Sequence, residues 1–431
     1  MRLLIIGSGG REHALCYKFG KSINIKKIYC IPGNGGTAKI AENVNIPITD
    51  FDKLSSFVIK NKIDFTFVGP ELPLSLGIVD YFKSKGLKIL GPSKMAARLE
   101  SSKIYSKRFM YKYNIPTARY NYFTNINDAM NFLKNLKLKE NEKIVIKADG
   151  LAAGKGVYIC KNKSESKNAI NQIMNKRIFG NAGSNIIIEE YIEGYELSYL
   201  IFLDGISYSI MPISKDYKRA NNNDKGLNTG GMGAYATTFS FISNDMNKKV
   251  KHIINKIVKG IMLEKLNYCG VLYIGMIFKN NFIPTVLEFN CRFGDPEAQV
   301  ILPLLKSDLF DICTAILEQK LISVKIDWKS EFSVCVVVAS DGYPESFEKG
   351  FEIKGIENVV DKNVKIFHSG TEIKNNKFIT SSGRVLCVTA TAMDCMKSAI
   401  NKVYKNIKYI HFKNMYYRKD IGKDYFLDKY I

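Results

Sequence analysis

A carboxylate, an amide and a guanidinium stand at alternate positions in Leu287-Glu288-Phe289-Asn290-Cys291-Arg292. On an extended strand alternate residues share a face, so Glu288 and Asn290 point one way, and Arg292 joins them if the strand persists. Two oxygen donors on one rigid strand suit Mg²⁺, which takes few protein ligands and completes its shell with phosphate oxygens and water. The planar fork of Arg292 suits a phosphate or an oxyanion. The plainer alternative is a surface ion pair between Glu288 and Arg292, of little energetic value. Surface is a poor account of the run that follows, Gly294-Asp295-Pro296-Glu297.

A second group lies in Ile144-Val-Ile-Lys147-Ala-Asp-Gly150-Leu-Ala-Ala-Gly154-Lys155-Gly156-Val157. An apolar run ending in Lys147 meets a glycine-rich loop around Lys155. Glycines let backbone N–H groups approach phosphate oxygens, and a lysine on a strand supplies a fixed positive charge. No Ser or Thr follows Lys155, so this is not a P-loop. A hairpin with two surface lysines is the alternative. Downstream, Glu189-Glu190-Tyr191-Ile192 ends an apolar run, with Glu196 close behind. Acids there can accept from an adenine amino group or ribose hydroxyls while apolar neighbours sandwich the ring. A solvated acidic turn is again the alternative. The polar, glycine-rich stretch from Asp216 and Lys218 to Asn228-Thr229-Gly230-Gly231-Met232-Gly233 is a long loop of the kind that usually has a function.

These groups need elements to hold them. Leu3–Ile6, Lys27–Ile31, Phe65–Val68 and Lys88–Leu90 each end at glycine or Pro-Gly, predicting a parallel sheet with ligands at its carboxyl edge. Gly7-Ser8-Gly9-Gly10-Arg11-Glu12 breaks the dinucleotide fingerprint, because Glu12 occupies the third glycine position. The turn can still hold a phosphate at a helix N-terminus, near Arg11. Helices are predicted from Ser101 to about Tyr113, over 127–138, 163–176, 249–266 and 308–318. Hairpins are predicted about Asp204-Gly205 and Asn280-Asn281. Residues 320–330 read as a linker before another α/β unit, in which Gly383-Arg384-Val385 and Arg418–Gly422 are either substrate-facing ends or turns.

The chain has 431 residues, enough for two to four domains. Its nine cysteines lack C-x-x-C spacing and it has four histidines, favouring reduced cytosolic thiols over disulfides or zinc. No signal peptide or membrane span is read, and the expected location is cytoplasmic. The net charge of +22 raises a nucleic-acid partner. The lysines are dispersed with asparagine and no nucleic-acid motif accompanies them, so neither nucleic acid nor membrane is expected as a partner.

With these blocks assembled, the chain resembles the glycinamide ribonucleotide synthetases of the ATP-grasp superfamily. The resemblance runs nearly end to end, through G-S-G-G-R-E-H-A, P-G-N-G-G-T, V-G-P-E, I-K-A-D-G-L-A-A-G-K-G-V, N-T-G-G-M-G-A-Y, L-E-F-N-C-R-F-G-D-P-E and R-K-D-I-G. It implies an α/β (α+β ATP-grasp) fold. A parallel-sheet preATP-grasp domain over 1–102 precedes a two-part ATP-grasp domain over 103–320, with a mobile lid at about 117–192. A small C-terminal α/β domain covers 330–431. The implied reaction joins glycine to 5-phospho-β-D-ribosylamine with ATP, through glycyl phosphate, in purine biosynthesis; another ATP-grasp carboxylate–amine ligase is the alternative.

The implied roles follow the motifs. Lys103 and Lys147 hold phosphates, with Gly154, Lys155 and Gly156 as the lid loop. Glu189, Glu190, Tyr191 and Ile192 cradle adenine, with Glu196 near the ribose. Glu288 and Asn290 bind Mg²⁺ or Mn²⁺, and Arg292 stabilises the acyl phosphate. Asp216, Lys218, Asn228, Gly230 and Gly231 face glycine. Gly9, Gly10, Asn34 and Glu71 face phosphoribosylamine. Tyr191 and Ile192 stand where Phe and Leu are common. The end of the chain after this region implies a free-standing, monomeric enzyme.

Overall fold

The computed structural model describes residues 1–138, 142–152, 154–238, 243–279 and 284–426. Three sheets position the chemistry. The first is the expected parallel sheet, in the order Glu42–Asn43, Lys27–Pro32, Arg2–Gly7, Phe65–Val68, Ile89–Leu90. Its strands are continuous apolar runs because helices cover both faces. The second is antiparallel, in the order Tyr120–Phe123, Ile186–Glu190, Ile144–Ala148, Val157–Cys160. Helices Ile126–Asn135 and Lys163–Ile170 give it a core of its own, around Leu133, Ile146, Ile170 and Ile188.

The third sheet runs on into the C-terminal domain. Gly233–Thr237 pairs antiparallel with Phe332–Ser340, so the strands after residue 330 extend the sheet built by Tyr195–Leu203, Ile213–Asp216, Gly270–Phe278 and Thr285–Asn290. The pairing satisfies the ladder of a strand that would otherwise be an exposed edge. Residues 320–330 are no free linker. Leu305 bridges Trp328, and the Lys329 N–H donates to the Leu304 carbonyl at 2.8 Å.

Helix limits shift by a few residues, and several helices were given no range from the sequence, among them Phe51–Lys60 and Glu297–Ile301. Lys94–Ser101 precedes Lys103–Lys112, each capped by a serine side chain, Ser93 and Ser102. The Asp204-Gly205 turn leads into two short strands, Tyr208–Ile210 and Ile213–Asp216, both paired with Tyr195–Leu203. The Asn280-Asn281 turn lies outside the described residues. Within the stretch 216–233, Arg219–Asn221 and Lys225–Asn228 form a small hairpin. Arg418 pins it: its side chain is fully buried and pairs with Asp224 at 2.8 Å and Asp420 at 2.7 Å. Of the two C-terminal candidates, Arg418 is therefore structural.

The first and last segments meet at two buried histidines. The His368 N–H donates to His13 Nδ1 at 2.8 Å. Burial holds His13 down to about 3 and His368 to about 4. Both rings are neutral in the folded state, while the unfolded chain protonates near 6.5. Their contribution is therefore complete above that pH and is lost as pH falls towards the folded values, at about 1.4 kcal/mol per pH unit for each ring. Thermal melts from pH 7 to 5 should show a steep fall in Tm that His13→Gln makes shallower; an unchanged slope would contradict this.

Candidate active site

One cleft of about 1050 Å³ opens between the carboxyl edge of the parallel sheet, the second, antiparallel sheet and the strand Thr285–Asn290. Its first end is apolar and cationic. Tyr191, Ile192 and Leu287 line it. Leu287 differs from strict alternation, which puts it in the core. Gly275 pairs with Glu288 but Met276 pairs with Val286, and this bulge leaves Leu287 half-buried on the cleft wall. Val286 and Phe289 fill the core behind it.

Lys147 ends its strand with its ammonium on Glu189. Lys107, from the helix Lys103–Lys112, reaches the other oxygen of the same carboxylate at 2.5 Å. Burial alone would lift Glu189; Lys147 and Lys107 together hold it below the ordinary range. Glu189 is thus the shared counter-ion of two buried lysines as well as a wall of the cleft. Glu190 is turned to Arg119 at 2.8 Å. Lys103 donates to the Gly150 carbonyl at 3.1 Å, and burial lowers its pKa. Asp149 accepts from the Ile104 N–H at 2.8 Å, which ties the glycine loop to the start of that helix. Gly154 and Gly156 line the cleft. Lys155 does not: its ammonium donates to the Pro344 carbonyl at 2.9 Å, outside the phosphate position given to it by the resemblance.

Carboxylates crowd the middle. Lys218 pairs with Glu196 and lies 3.8 Å from Glu288. Burial raises Asp216 well above its ordinary value, opposed by Lys218 and helped by Glu297 and Glu196. Burial also raises Glu297, whereas Lys218 and Lys147 keep Glu288 low against the same effect. The site therefore holds more carboxylate than its lysine balances. Among the described residues no group of three or more His, Cys, Asp or Glu side chains is arranged to hold a metal ion by itself. An ionised Glu288 and the Asn290 amide on one strand fit a hard cation that keeps open positions for phosphate oxygens.

The other end is built around Arg292. Its guanidinium lies 3.2 Å from Glu71 and 2.7 Å from Glu100. Burial opposes its charge, but Glu100 and Glu71 outweigh this and raise its pKa. The surface ion pair with Glu288 is thereby excluded. Burial pushes Glu100 up to about 7, against Arg292. Arg384, the other C-terminal candidate, does line the cleft; it donates to the Gly230 carbonyl at 2.7 Å and the Asp295 carbonyl at 2.8 Å. It fixes the loop that carries Asn228 and Gly230. Gly231 does not line the cleft; its φ of +112° and a would-be Cβ 2.4 Å from Pro296 make it a packing glycine.

The first turn needs correction. Gly9 lines the cleft, but its N–H donates to Glu12 Oε2 at 2.6 Å, and the Arg11 N–H is turned to Asp295 at 3.3 Å. The helix N-terminus already holds two carboxylates. Gly10 is buried outside the lining, where a Cβ would meet Gln299 Nε2 at 2.4 Å and Ser369 Oγ at 2.7 Å. Asn34 is spent on the backbone: its Nδ2 donates to Ser8 and His368 carbonyls at 2.8 Å, and its Oδ1 accepts from Gly36 and Thr37. The Asn34 amide is therefore not available to a substrate in this arrangement, and Gly10 lies outside the lining of the cleft.

Comparison with known proteins decides the lineage. Three phosphoribosylglycinamide synthetase family models match: the N domain over residues 1–100, the ATP-grasp (A) domain over 101–298 and the C domain over 333–424. The chain belongs to the phosphoribosylglycinamide synthetase family. The phosphoribosylamine–glycine ligase of Caldanaerobacter subterraneus subsp. tengcongensis is 45% identical over 425 residues, 99% of this chain and 100% of that one. The chicken trifunctional purine biosynthetic protein adenosine-3 is 44% identical over 98% of this chain and 42% of its own length. The crystal structure of the Thermotoga maritima phosphoribosylamine–glycine ligase superposes with a TM-score of 0.83 at 32% identity, covering 97% of this chain and 100% of that one. For a member of this family the site holds two charged groups that sequence reasoning missed, Glu100 and Lys107. Each lies in a helix, where charge ordinarily signals solvent.

Proposed function

We propose that the chain ligates glycine to 5-phospho-β-D-ribosylamine with ATP, giving glycinamide ribonucleotide, ADP and phosphate in purine biosynthesis. One observation carries this reading. Lys103, Lys147, Glu288, Asn290 and Arg292 line one cleft together with Tyr191, Ile192 and Leu287. That is the set a nucleotide base, its triphosphate with a cation, and an acceptor carboxylate require.

Tyr191, Ile192 and Leu287 supply apolar walls for adenine, and Glu196 lies where it can meet the ribose. Lys103 and Lys147 hold phosphate oxygens, beneath the loop of Gly154 and Gly156. Glu288 and Asn290 would hold Mg²⁺ or Mn²⁺, which would neutralise charge on the phosphates. Glycine's carboxylate is a poor electrophile. Its attack on the γ-phosphorus makes glycyl phosphate, and the ribosylamine nitrogen then displaces phosphate from the carbonyl. Catalysis of such transfer is mostly positioning and charge stabilisation. Asp216, Lys218 and the Asn228–Gly230 loop orient glycine; Arg292 faces the acyl phosphate and the tetrahedral oxyanion. Glu71, on Arg292, and Gly9 border the end left for the ribosylamine. We further read the lid as residues 117–192, between a first domain ending near 102 and a C-terminal one from 330, and the protein as a cytosolic monomer.

ADP release should require ATP, glycine and freshly generated phosphoribosylamine together, and fall to background when any one is omitted. Equal turnover with another amine or acid would overturn the assignment.

A further inference from the structure

We propose that Glu100 is a positioning residue that sets the amide orientation of Asn290 and the fork of Arg292 together. The inference rests on the metal reading of Glu288 and Asn290 given above. Glu100 ends the short helix Lys94–Ser101 and is buried. Its carboxylate meets three consecutive residues at the end of the strand. Oε2 accepts from the Cys291 N–H at 2.7 Å, and Oε1 forms an ion pair with Arg292 Nη2 at 2.7 Å. The terminal amide atom of Asn290 that faces this cluster lies 3.1 Å from Glu100 Oε1 and 3.2 Å from the Phe289 carbonyl; both neighbours are acceptors, which assigns that atom as the nitrogen and makes it the donor.

An amide has two faces of nearly the same shape and opposite chemistry. Only its oxygen can bind a cation. With the nitrogen drawn to Glu100, the oxygen is left for the cleft, which Asn290 lines. In its ionised form, which the Arg292 guanidinium favours, Glu100 accepts on both oxygens and has no donor to offer. Glutamine at position 100 cannot replace it: either amide orientation sets an N–H against an N–H, of Cys291 on one side or of Arg292 and Asn290 on the other. A counter-ion for Arg292 alone would need no contact with Asn290.

The probe is Mn²⁺, counted by the paramagnetic resonance of the free ion, with saturating ADP and no turnover. Glu100→Gln should weaken Mn²⁺ binding by about 10- to 100-fold, the scale for losing a group that orients a ligand, while metal-free ADP binds as before. Asn290→Asp adds a charge to the ligand set, yet it loses the N–H that meets Glu100. It should bind Mn²⁺ more weakly, not more tightly. The double swap, Glu100→Gln with Asn290→Asp, restores a donor–acceptor pair between the two positions with its direction reversed, and although the same N–H then faces Arg292, it should bind Mn²⁺ more tightly than Asn290→Asp alone. A purely structural role predicts no such recovery. Wild-type Mn²⁺ affinity in folded Glu100→Gln, tighter binding in Asn290→Asp, or additive losses in the double swap would each overturn the proposal. If Glu100→Gln does not fold by circular dichroism, Asn290→Asp decides alone: weaker binding supports, tighter binding refutes. Wild-type protein that binds no Mn²⁺ with ADP would overturn the metal reading as well, whereas binding that these changes leave untouched overturns only the role of Glu100.

Discussion

Arg292→Lys should lower kcat by about 10²-fold or more, the scale for removing one donor aimed at developing charge. Lysine keeps the charge between Glu71 and Glu100 but loses the planar fork that meets both carboxylates and an oxyanion at once. KM for ATP should change little, because Lys103 and Lys147, the lysines proposed for the triphosphate, form no ion pair with Glu71 or Glu100. Alanine is the poorer test. It would leave two buried carboxylates facing each other, and breaking a buried pair costs about 3–5 kcal/mol. Steady-state rates with melting curves separate the two effects. Near-normal turnover in a folded Arg292→Lys protein would remove Arg292 from the chemistry.

Glu288→Gln should raise the Mg²⁺ concentration for half-maximal activity by about 10-fold or more, since ligand charge tunes affinity for hard cations. The glutamine fits the same strand position opposite Gly275, and the core-facing Val286 and Phe289 are untouched. At saturating Mg²⁺ much of the rate should return. Unaltered Mg²⁺ dependence would mean that Glu288 serves Lys218 rather than a cation.

Much of this site was legible from the chain. Alternation on Thr285–Asn290 placed Glu288 and Asn290 in the cleft, and glycine punctuation marked the strand ends that converge there. What stayed hidden depends on tertiary contact. Glu100 and Lys107 have the helical positions of solvated charges, and only their neighbours bury them. Asn34 stood in a ligand-like loop, yet its amide is saturated by backbone from two distant segments. Strand pairing between Gly233–Thr237 and Phe332–Ser340 leaves no local signature, so the sheet's continuation into the C-terminal domain went unread. One feature was legible and passed over. Asn375-Asn376, both at positive φ, join Thr371–Lys374 to Lys377–Thr380 in a hairpin that such a dipeptide announces.

The account turns on activation of glycine by phosphoryl transfer within this cleft. Glycine labelled with ¹⁸O in both carboxylate oxygens tests it directly, by mass analysis of the inorganic phosphate released in the complete reaction. Glycyl phosphate predicts one labelled oxygen in every phosphate formed, because the bond between the carboxylate oxygen and phosphorus survives attack by the ribosylamine nitrogen. Phosphate without label, at full yield of glycinamide ribonucleotide, would contradict it.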